Sequence, residues 1–595
     1  MILMIISFLL ISTIICLEET IYNSTIIFSN DKINITGEGV YESSKGVITI
    51  NNPGSYLIKG TSNEGNIIIV KSSVYLYLEN FELSSSKNSP ILVDRRLDDV
   101  RIIAIQNVTL NDLEDLESKA ECATIKIKKK SNVTIQSLND LKLTGKSKNV
   151  IKGVEQVSIT FQSPKDGVFI IEAQKNAIAC DNLLIFKGGI FNITTKTGDA
   201  INADSDDSDI NNLGKIIIEK SEFHIESYND AFQAKSLIEI NDGSFYIKTE
   251  NGSQSTTFNR SSDSANAFKV SGKDAGSEIM VYNGTFFLDT PDNTFHSNGN
   301  LTLTNGNYNI NSKRNGLHAK FNVVIGKNQS SIGPNINILN SDEAIEGMSI
   351  IIYSGNLYTE SIDDGINAAG GAENKEIINP NNIISIYGGE IYIFSNGDGL
   401  DSNGNLFIYG GDINIFSKET GEKSPIDCGG NFTIFSTTIL GVGSKGMKYI
   451  HEGIKNGNQL YAYYKENINK TKILQILNEK DEIIKEGNIT KNIDYIFYTS
   501  PKLNFNYTLK IFNPDGSNEE KFKFSFGNST IEINNENPRK SKKYILFIII
   551  FPLLIIIILI ILLKRYYAKK KHDQLILDSI NKELSRRESL ERDTV

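Results

Sequence analysis

Residues 364–368 read DGINA, and the same five-residue pattern, here called the repeat phrase, returns along the middle of the chain. Aligned on the first polar residue, its copies are DAINA at Asp199, DAFQA at Asp230, NAFKV at Asn266, NTFHS at Asn293, NGLHA at Asn315, EAIEG at Glu343, DGLDS at Asp398 and SPIDC at Ser424, with earlier degenerate copies NVIKG at Asn149 and NAIAC at Asn176. From Asp199 to Ser424 the copies are 21 to 36 residues apart. Short alternating strands separated by a Gly-containing turn follow each copy, as in IISIYGGEIYIFS at 383–395.

This spacing predicts a parallel β-helix. A period of this length, with short β-runs and no helical periodicity, is typical of stacked rungs that share one continuous core. A β-sandwich of short strands is the alternative, but a sandwich does not keep one phrase at one corner. The third and fifth residues of the phrase are apolar or small and are predicted to face inward. The first and fourth are polar and are predicted to face outward at one corner.

The ends of the chain suggest an exported membrane protein. Residues 1–16 are an apolar run of signal-peptide length, and 544–563 is long and apolar enough to span a bilayer. We therefore divide the chain into a signal peptide (1–16), an N-terminal polar segment (17–45), the β-helix (46–457), a C-terminal β module (458–510), a stalk (511–543), a transmembrane helix (544–563) and a cytoplasmic tail (564–595). The expected location is the plasma membrane or another membrane of the secretory pathway, with the large domain extracellular or lumenal.

Potential N-glycosylation sites agree with this topology, because none follows the apolar span. The Asn-x-Ser/Thr sites are Asn23, Asn34, Asn107, Asn132, Asn192, Asn251, Asn259, Asn283, Asn300, Asn328, Asn431, Asn469, Asn488, Asn506 and Asn528.

After signal removal three cysteines are left, so the fold is not a disulfide scaffold. Cys180 and Cys428 fill the same small-residue slot many rungs apart, too far to bridge, and are predicted to be small core residues. The net charge of −10 argues against a nucleic-acid partner and is compatible with bound cations.

Acidic residues cluster on neighbouring copies of the phrase. Read down the stack, the first and fourth positions and their flanking residues bring together Glu343, Glu346, Asp363, Asp364, Asn367, Asp398 and Asp401, with Asp427 on the next rung. Stacked carboxylates repel unless a cation or a proton neutralises them, and oxygen ligands of this kind suit Ca²⁺. A second candidate group is Asp199, Asn202 and Asp230, with Asp204, Asp206 and Asp207 beside them. The alternative is a solvated acidic corner that uses Asp and Gly for turns.

Aromatic and basic residues supply further candidates for binding and catalysis. Tyr353, Tyr387 and Tyr409 hold one position on successive rungs, and such a ladder could stack against sugar rings, or could be strand residues on a half-buried surface. Tyr282 holds the same position further up. His296 and His318 are predicted to be surface polar residues, with a transition-metal role as the alternative. No Lys lies in or beside the acidic phrases, which argues against a lyase base, and the chain carries no other catalytic motif.

In combination these segments resemble the bacterial β-helical carbohydrate-binding domain family. The segments are GVITINNPGSYLIKGTSNEGNIIIVKSSVYLYLENFEL (46–83), GDAINAD (198–204), EAIEGMSIIIYSG (343–355), DDGINAAGG (363–371), GDGLDSNGNLFIYGG (397–411) and GSKGM (443–447). The resemblance extends over roughly 46–510 and implies a right-handed helix similar to pectate lyases, plant-type polysaccharide as ligand, and calcium. Its calcium role falls on Asp199, Asp230, Glu343, Asp363, Asp364, Asp398 and Asp401. Asn266, Asn293 and Asn315 replace acids in the middle rungs.

The expected function is non-catalytic carbohydrate binding at the cell surface by a calcium-stabilised glycoprotein whose partner is a polysaccharide or glycan. One alternative is a calcium-dependent, pectate-type polysaccharide lyase. Another is a structural adhesin or spacer. The basic tail is expected to lie against anionic lipid, and any cytoplasmic partner of the tail is unknown.

Overall fold

The computed structural model describes residues 21–30, 32–113, 123–146, 148–204, 213–329, 332–370, 378–417, 423–435, 437–444, 459–468, 471–501 and 506–524. Every regular element within these ranges is a β-strand. None of the described segments is a helix with the length and apolarity needed to cross a membrane. The predicted signal peptide, the transmembrane segment, the cytoplasmic tail and Cys122 lie outside the described residues, as does the stalk beyond residue 524.

The N-terminal end is closed by antiparallel pairs. Strands β1 and β2 pair antiparallel, as do β3 and β4, and β1 then pairs parallel with β5. The strands of this part are β1 (Ser24–Ser29), β2 (Lys32–Gly37), β3 (Val40–Ser44), β4 (Val47–Ile50), β5 (Gly54–Ser62), β6 (Asn66–Ile69), β7 (Val74–Ser85), β8 (Ile91–Val93) and β9 (Val100–Asp112). The segment 17–45, predicted only to be polar, therefore supplies the strands that begin the stack.

The middle of the chain repeats three short strands per rung. These strands are β10 (Ala123–Lys128), β11 (Asn132–Ser137), β12 (Asp140–Gly145), β13 (Asn149–Val154), β14 (Ser158–Phe161), β15 (Val168–Ala173), β16 (Ile178–Ala179), β17 (Leu183–Phe186), β18 (Ile190–Thr195), β19 (Ile201–Ala203), β20 (Lys215–Ile218), β21 (Ser221–Ser227), β22 (Phe232–Ala234), β23 (Leu237–Ile240), β24 (Gly243–Thr249), β25 (Phe268–Val270), β26 (Glu278–Val281), β27 (Thr285–Thr290), β28 (Phe295–Ser297), β29 (Asn300–Leu303) and β30 (Asn307–Ser312). From β10 to β28 each pairs in parallel with the strand three places later, as β15 does with β18 and β18 with β21, whereas β29 and β30 pair with β31 and β32, two places later. This pairing is consistent with a β-helix and excludes the β-sandwich alternative, whose sheets are antiparallel.

The same stacking continues through the acidic rungs. The strands are β31 (Leu317–Ile325), β32 (Asn335–Ser341), β33 (Ile345–Ile352), β34 (Asn356–Ser361), β35 (Ile366–Ala368), β36 (Ile383–Ile386), β37 (Glu390–Ser395), β38 (Leu400–Ser402), β39 (Asn405–Ile408), β40 (Asp412–Phe416), β41 (Ile426–Cys428), β42 (Phe432–Ile434) and β43 (Thr438–Gly443). We call the three stacks the first ladder, which carries the repeat phrase (β13, β16, β19 and onward to β41), the second ladder (β14, β17, β20 and onward to β42) and the third ladder (β15, β18, β21 and onward to β43). The long strands β31 and β33 belong to both the first and the second ladder.

Antiparallel strands close the C-terminal end. They are β44 (Gln459–Ile468), β45 (Lys472–Leu477), β46 (Ile483–Ile489), β47 (Ile493–Ser500), β48 (Tyr507–Phe512) and β49 (Glu520–Phe524). Strand β47 pairs antiparallel with both β43 and β44, and β45, β46, β48 and β49 form a separate four-stranded sheet. This sheet reaches Phe524, beyond the predicted module boundary at 510.

One continuous apolar core runs through the stack, from Ile26 to Phe497. In the third ladder the inward position holds Phe191, Phe223, Phe245 and Phe286 on successive rungs, with neighbouring ring centroids 4.7–5.4 Å apart. Burying each such side chain stabilises the fold by roughly 1.5–3 kcal/mol, which short strands with few local contacts require. Between the second and third ladders the chain turns at glycines such as Gly389, whose φ of 105° and whose closeness to the Gly355 carbonyl leave no room for a Cβ.

Candidate functional site

The repeat phrase forms one aligned corner, as predicted. Its third residues pair in register from Ile201 through Phe232 and Phe268 to Leu400 and onward. The fourth residues pair in the same way, in the order Asn202, Gln233, Lys269, His296, His318, Glu346, Asn367, Asp401, Asp427. The third residues are buried, which confirms the predicted inward positions.

The first residue of the phrase does not face outward, and that part of the prediction is wrong. Asp230 is 0% exposed and Asp364 is 4% exposed. The Asp230 Oδ1 atom accepts the backbone N–H of Asn266 at 2.7 Å, and Asp364 Oδ1 accepts the backbone N–H of Asp398 at 2.6 Å. At this bend the side-chain oxygen takes the place of a ladder carbonyl, because a buried N–H must find an acceptor. Every copy of the phrase carries an acceptor side chain at this position, which is the signal that the sequence offered.

Two overlapping triplets of carboxylates form what we call the acid corner. Single oxygen atoms of Glu343, Asp363 and Asp364 all lie within 4.8 Å of one another, and so do oxygen atoms of Asp364, Asp398 and Asp401. Glu346 is directed to the preceding rung, where its Oε2 atom accepts the Asn315 side-chain amide.

Burial and mutual repulsion disturb the titration of these acids. Burial, and then the nearby Glu346 carboxylate, raise the pKa of Glu343 to about 7. Burial raises the pKa of Asp398 to about 6. Burial and the neighbouring carboxylates of Asp364, Asp398 and Asp427 raise the pKa of Asp401 to about 8. Near neutral pH the acid corner therefore binds protons that a cation would displace.

A lysine does lie beside the acidic rungs, contrary to the prediction from the sequence. The Lys423 Nζ atom is 3.1 Å from Asp364 Oδ1, 3.2 Å from Asp398 Oδ2 and 3.7 Å from Asp363 Oδ1. Lys423 immediately precedes the SPIDC copy at Ser424, so reading the residues that flank each phrase would have found it. These carboxylates raise the pKa of Lys423 against the opposing effect of burial, so the ammonium is charged and partly neutralises the corner.

The donor set of the acid corner fits a hard cation. Among the described residues, buried Glu343 Oε2 and Asn367 Oδ1 have no hydrogen-bond partner, although Asn367 Nδ2 donates to Glu343 Oε1 at 3.0 Å. Oxygen atoms within 4.8 Å of one another can share an ion whose ligand distances are about 2.3–2.6 Å. Lys423 Nζ lies nearer to Asp364 and Asp398 than to Asp363, and the unpartnered Glu343 Oε2 belongs to the other triplet. The triplet of Glu343, Asp363 and Asp364 is therefore the better place for an added cation.

Protein donors partner most of the second predicted metal group, although buried Asp204 Oδ1 accepts no hydrogen bond from the described residues and lies 3.6 Å from Lys235 Nζ. Lys269 Nζ lies 3.1 Å from Asp230 Oδ2, and Asn202 Nδ2 donates to Asp199 Oδ2 at 2.6 Å. Burial and the adjacent Asp230 carboxylate raise the pKa of Asp199 to about 7. Asp204 Oδ2 accepts from the Gln233 amide, while Asp206 and Asp207 lie outside the described residues. This group fits a cation less well than the acid corner does.

The two histidines at the fourth position of the repeat phrase are half-buried, whereas they were predicted to be surface residues. The rings of His296 and His318 stack at 4.7 Å. Burial and the adjacent His318 lower the pKa of His296 to about 3, so it is neutral. Its Nδ1 atom accepts from the Asn293 amide at 2.9 Å, which leaves this nitrogen engaged.

The tyrosine column is a continuous stack. Ring centroids are 5.2 Å apart between Tyr353 and Tyr387 and 4.9 Å apart between Tyr387 and Tyr409, and Phe435 extends the stack by a further 5.0 Å. Because the rings lie on one another, both faces of Tyr387 are covered. A ligand would therefore meet ring edges and hydroxyl groups along this stack rather than open faces.

A second outward stack was not singled out in the sequence. His224, Tyr246 and Phe287 are neighbours on the third ladder, with centroid distances of 4.8 and 5.2 Å. They border a groove of about 530 Å³. The sequence gives only a weak indication of this stack, because three different residue types, His, Tyr and Phe, occupy the position.

The described glycosylation candidates lie at the surface. Among the described candidates Asn300 alone is half-buried, and the others, Asn34 included, are exposed. The Asn300 amide donates to the Ala275 carbonyl at 2.6 Å. Asn469 and Asn528 lie outside the described residues.

Cys180 and Cys428 are free thiols, and Cys180 is buried in the core as predicted.

Comparison with known proteins supports the resemblance to carbohydrate-binding domains. A family model described as "Carbohydrate-binding domain-containing protein" matches residues 44–316. A relative of the same description from Acetivibrio thermocellus is 26% identical over 146 residues, which are 21% of this chain and 51% of the relative. The match thus spans about half the length of that relative. A solved polysaccharide lyase-like protein from C. thermocellum matches with a TM-score of 0.33 and 20% identity, over 38% of this chain and 92% of that one.

Proposed function

We propose that this protein binds polysaccharide without cleaving it, along the outward faces of its stacked strands. The observation that carries the proposal is the family match over 44–316, because it covers consecutive rungs of the stack and is described as carbohydrate-binding. Stacked rungs offer long, regular surfaces on which a chain of sugars can lie with repeated contacts. The tyrosine stack at Tyr353, Tyr387 and Tyr409 lies outside the matched residues and is a candidate hydrogen-bonding strip for the same kind of ligand.

A calcium ion bound at the acid corner is part of the proposal. Glu343, Asp363 and Asp364 would hold it, with Asn367 in support. When bound, the ion would neutralise carboxylates that otherwise repel one another. Asp199, Asn202 and Asp230 would contribute less, because their own side-chain donors already partner them.

The proposed setting is a membrane surface that faces the exterior or a lumen. Support comes from the apolar stretch 544–563, the apolar start of the chain and the exposed sequons. In this arrangement glycans would share the solenoid surface with any bound polysaccharide. A structural spacer of the same topology would bind no polysaccharide at all.

A polysaccharide lyase is the second candidate function, and Lys423 is the observation that raises it. A lysine beside a cation-binding corner could abstract a proton from an acidic sugar. The carboxylates of Asp364 and Asp398 nevertheless raise the Lys423 pKa and hold the ammonium protonated, which is the wrong state for a general base. We therefore place binding ahead of lysis.

A glycan array separates these functions. The full chain, purified in a non-glycosidic detergent after enzymatic deglycosylation, is applied with and without a calcium chelator. Retention on at least one polysaccharide supports binding, and absence of retention on every one leaves the spacer. Incubation with polygalacturonate tests the lyase, since elimination produces an unsaturated product that absorbs in the ultraviolet. Appearance of that absorbance would overturn the non-catalytic proposal.

A further inference from the structure

The outward face of the third ladder carries a groove near the middle of the stack. The groove of about 530 Å³ runs across strands β15, β18, β21, β24 and β27. Ile170 and the aromatic stack lie along it, with Asn192 of β18 between Ile170 and His224, while Thr194 of β18 stands between Glu172 and Glu226. Because Asn192 and Thr194 are smaller than the rings on the following rungs, the face is recessed at this point.

The rings of the aromatic stack cover one another's faces, as in the tyrosine column, but their edges are open to the groove. Phe287 is 43% exposed, and nearby Tyr228 is 46% exposed. On the same ladder, Phe416 belongs to the C-terminal hydrophobic cluster, and Phe394 packs against that cluster. The fold thus covers outward aromatic rings at one end of this ladder and leaves them open at the groove. Exposed apolar patches of this kind mark binding surfaces.

The polar groups beside the rings suit sugar hydroxyls. Glu172, Glu226 and Lys248 line the groove on the side opposite the rings. A smaller recess of about 230 Å³ shares Glu226 and Lys248 and extends the groove towards Tyr228. An apolar edge facing hydrogen-bonding groups matches a pyranose ring, which has apolar C–H faces and a rim of hydroxyls.

The charges of the groove favour a neutral sugar. Two carboxylates, Glu172 and Glu226, and the ammonium of Lys248 line it, and Lys142 pairs with Glu172 at 3.3 Å, so the groove has no excess positive charge to attract an acidic sugar. A uronate chain would bring further negative charge to this face, and like charges repel. The spacing of about 4.8 Å between stacked strands also places one aromatic ring on each of three successive rungs, β21, β24 and β27, so successive sugars would meet similar positions there.

We propose that this groove is the main subsite for a neutral hexopyranose chain, which lies along the stack of His224, Tyr246 and Phe287. The inference rests on the proposed carbohydrate-binding function and locates it. All lining residues of the groove lie within the 44–316 family match, whereas Tyr353, Tyr387 and Tyr409 lie beyond it. The sugar can come from a separate polysaccharide or from a glycan on Asn192, which is exposed and belongs to an Asn-Ile-Thr site in the groove.

Calorimetric titration tests the location. The full chain is made in a host without N-glycosylation and purified in a non-glycosidic detergent. It is then titrated with neutral gluco-, manno- and xylo-hexasaccharides and with hexagalacturonate. The double variant Tyr246→Ala with Phe287→Ala is expected to weaken binding of the preferred neutral hexasaccharide about tenfold or more, which is about 1.4 kcal/mol. Tyr392→Ala, at the same column of the third ladder but outside the groove, is the matched control and should bind within about twofold of wild type.

The outcomes separate the two proposals. If the unaltered chain binds none of the saccharides, the proposed function fails. If it binds but the groove variant, with an unchanged melting temperature, binds equally well, the groove proposal fails while the function stands. Tighter binding of hexagalacturonate in the groove would overturn the neutral class.

A second arm distinguishes the source of the sugar. The chain is produced in a glycosylating host with and without Asn192→Gln. Binding that appears only in the Asn192→Gln protein supports the groove as a pyranose site filled by its own glycan. Equal binding by both proteins supports a separate polysaccharide as the occupant.

Discussion

The Lys423 ammonium lies 3.2 Å from Asp398 Oδ2 and 3.1 Å from Asp364 Oδ1, so one lysine bridges carboxylates from two successive rungs. Both carboxylates are nearly buried, whereas the lysine side chain is 41% exposed. The corner therefore carries an internal counter-ion that reaches in from solvent. Its removal should reveal how strongly the stacked acids repel one another.

Lys423→Met is expected to lower the free energy of unfolding at pH 7 by about 1–2 kcal/mol, less than for a fully buried pair because the lysine is partly solvated. Added Ca²⁺ should recover part of this loss by supplying the missing positive charge. Thermal melts with and without Ca²⁺ measure both effects. Lys220→Met, whose lysine is 80% exposed and 3.8 Å from Asp242, should melt like wild type. An undiminished stability of Lys423→Met would show that the bridge does not neutralise the corner.

Stability without divalent cations should fall as the pH rises from about 4 to 8. The pKa of Glu343 is raised to about 7 and that of Asp401 to about 8, above the ordinary values near 4 in the unfolded chain. The folded protein thus holds protons that the unfolded chain releases, so their stabilising contribution is present at low pH and is lost through this window. Asp401→Asn should flatten the profile of Tm against pH, and Asp274→Asn, in an exposed turn, should not. A profile that rises over this range in Asp401→Asn and wild type alike would contradict the assignment.

Calcium affinity should increase with pH and depend on Glu343. Because the ion needs ionised ligands, binding at pH 6 must displace protons that are largely absent at pH 8. Glu343→Gln is expected to reduce affinity about tenfold or more. Titration calorimetry in two buffers of different ionisation enthalpy measures affinity and proton release together. Glu219→Gln, which removes a carboxylate paired with Lys187 on another ladder, is the control. Equal affinity in Glu343→Gln would place any calcium elsewhere.

The buried first position of the repeat phrase should be costly to truncate. Asn293 Oδ1 accepts the backbone N–H of Asn315 at 3.3 Å, and Asn293 is 1% exposed. Asn293→Ala leaves this buried donor without a partner and is expected to lower the free energy of unfolding by about 1–3 kcal/mol. Asn309→Ala, at an exposed position of the third ladder, should change it by no more than about 0.5 kcal/mol. Urea denaturation compares the two variants. Equal stabilities would refute the role of the first residue of the repeat phrase as an acceptor for a buried N–H group.

Adjacent phenylalanines test the inside and outside of the third ladder. Phe286 is 0% exposed and Phe287 is 43% exposed. Phe286→Ala should lower the free energy of unfolding by about 3–5 kcal/mol because it opens a cavity in the ring stack. Phe287→Ala should leave stability nearly unchanged. Thermal or urea unfolding decides, and a similar loss in both variants would mean that the outward stack is structural.

Much of the architecture could be predicted because each rung repeats the same pattern of apolar and polar residues. The apolar third position, from Ile201 to Ile426, must face inward on every rung, so its recurrence predicts stacking without knowledge of any single contact. The register of the repeat phrase followed from the same recurrence. The C-terminal sheet was less predictable, because strands such as β49 pair with partners that have no periodic relation to them.

The candidate site depended on contacts that recurrence does not encode. Lys423 stands beside one copy of the phrase, and only the folded corner brings its ammonium to Asp364, which lies 59 residues earlier in the chain. The first residue of the repeat phrase is polar and was therefore predicted to face outward. A bend in the backbone nevertheless leaves a buried N–H without a ladder carbonyl, and the oxygen of this side chain accepts its hydrogen bond. Likewise, the tyrosine position was correctly aligned, but the stacking of its rings on one another follows from the rung spacing.

The sequence by itself determined the stacking, the inward residues and the corner at which acids meet, because period and polarity act on every rung alike. The tertiary structure alone decided which polar side chains are buried, which lysine ammonium neutralises the stacked acids and where aromatic rings stay exposed. These depend on distances between residues far apart in the chain, and a one-dimensional pattern carries no such distances.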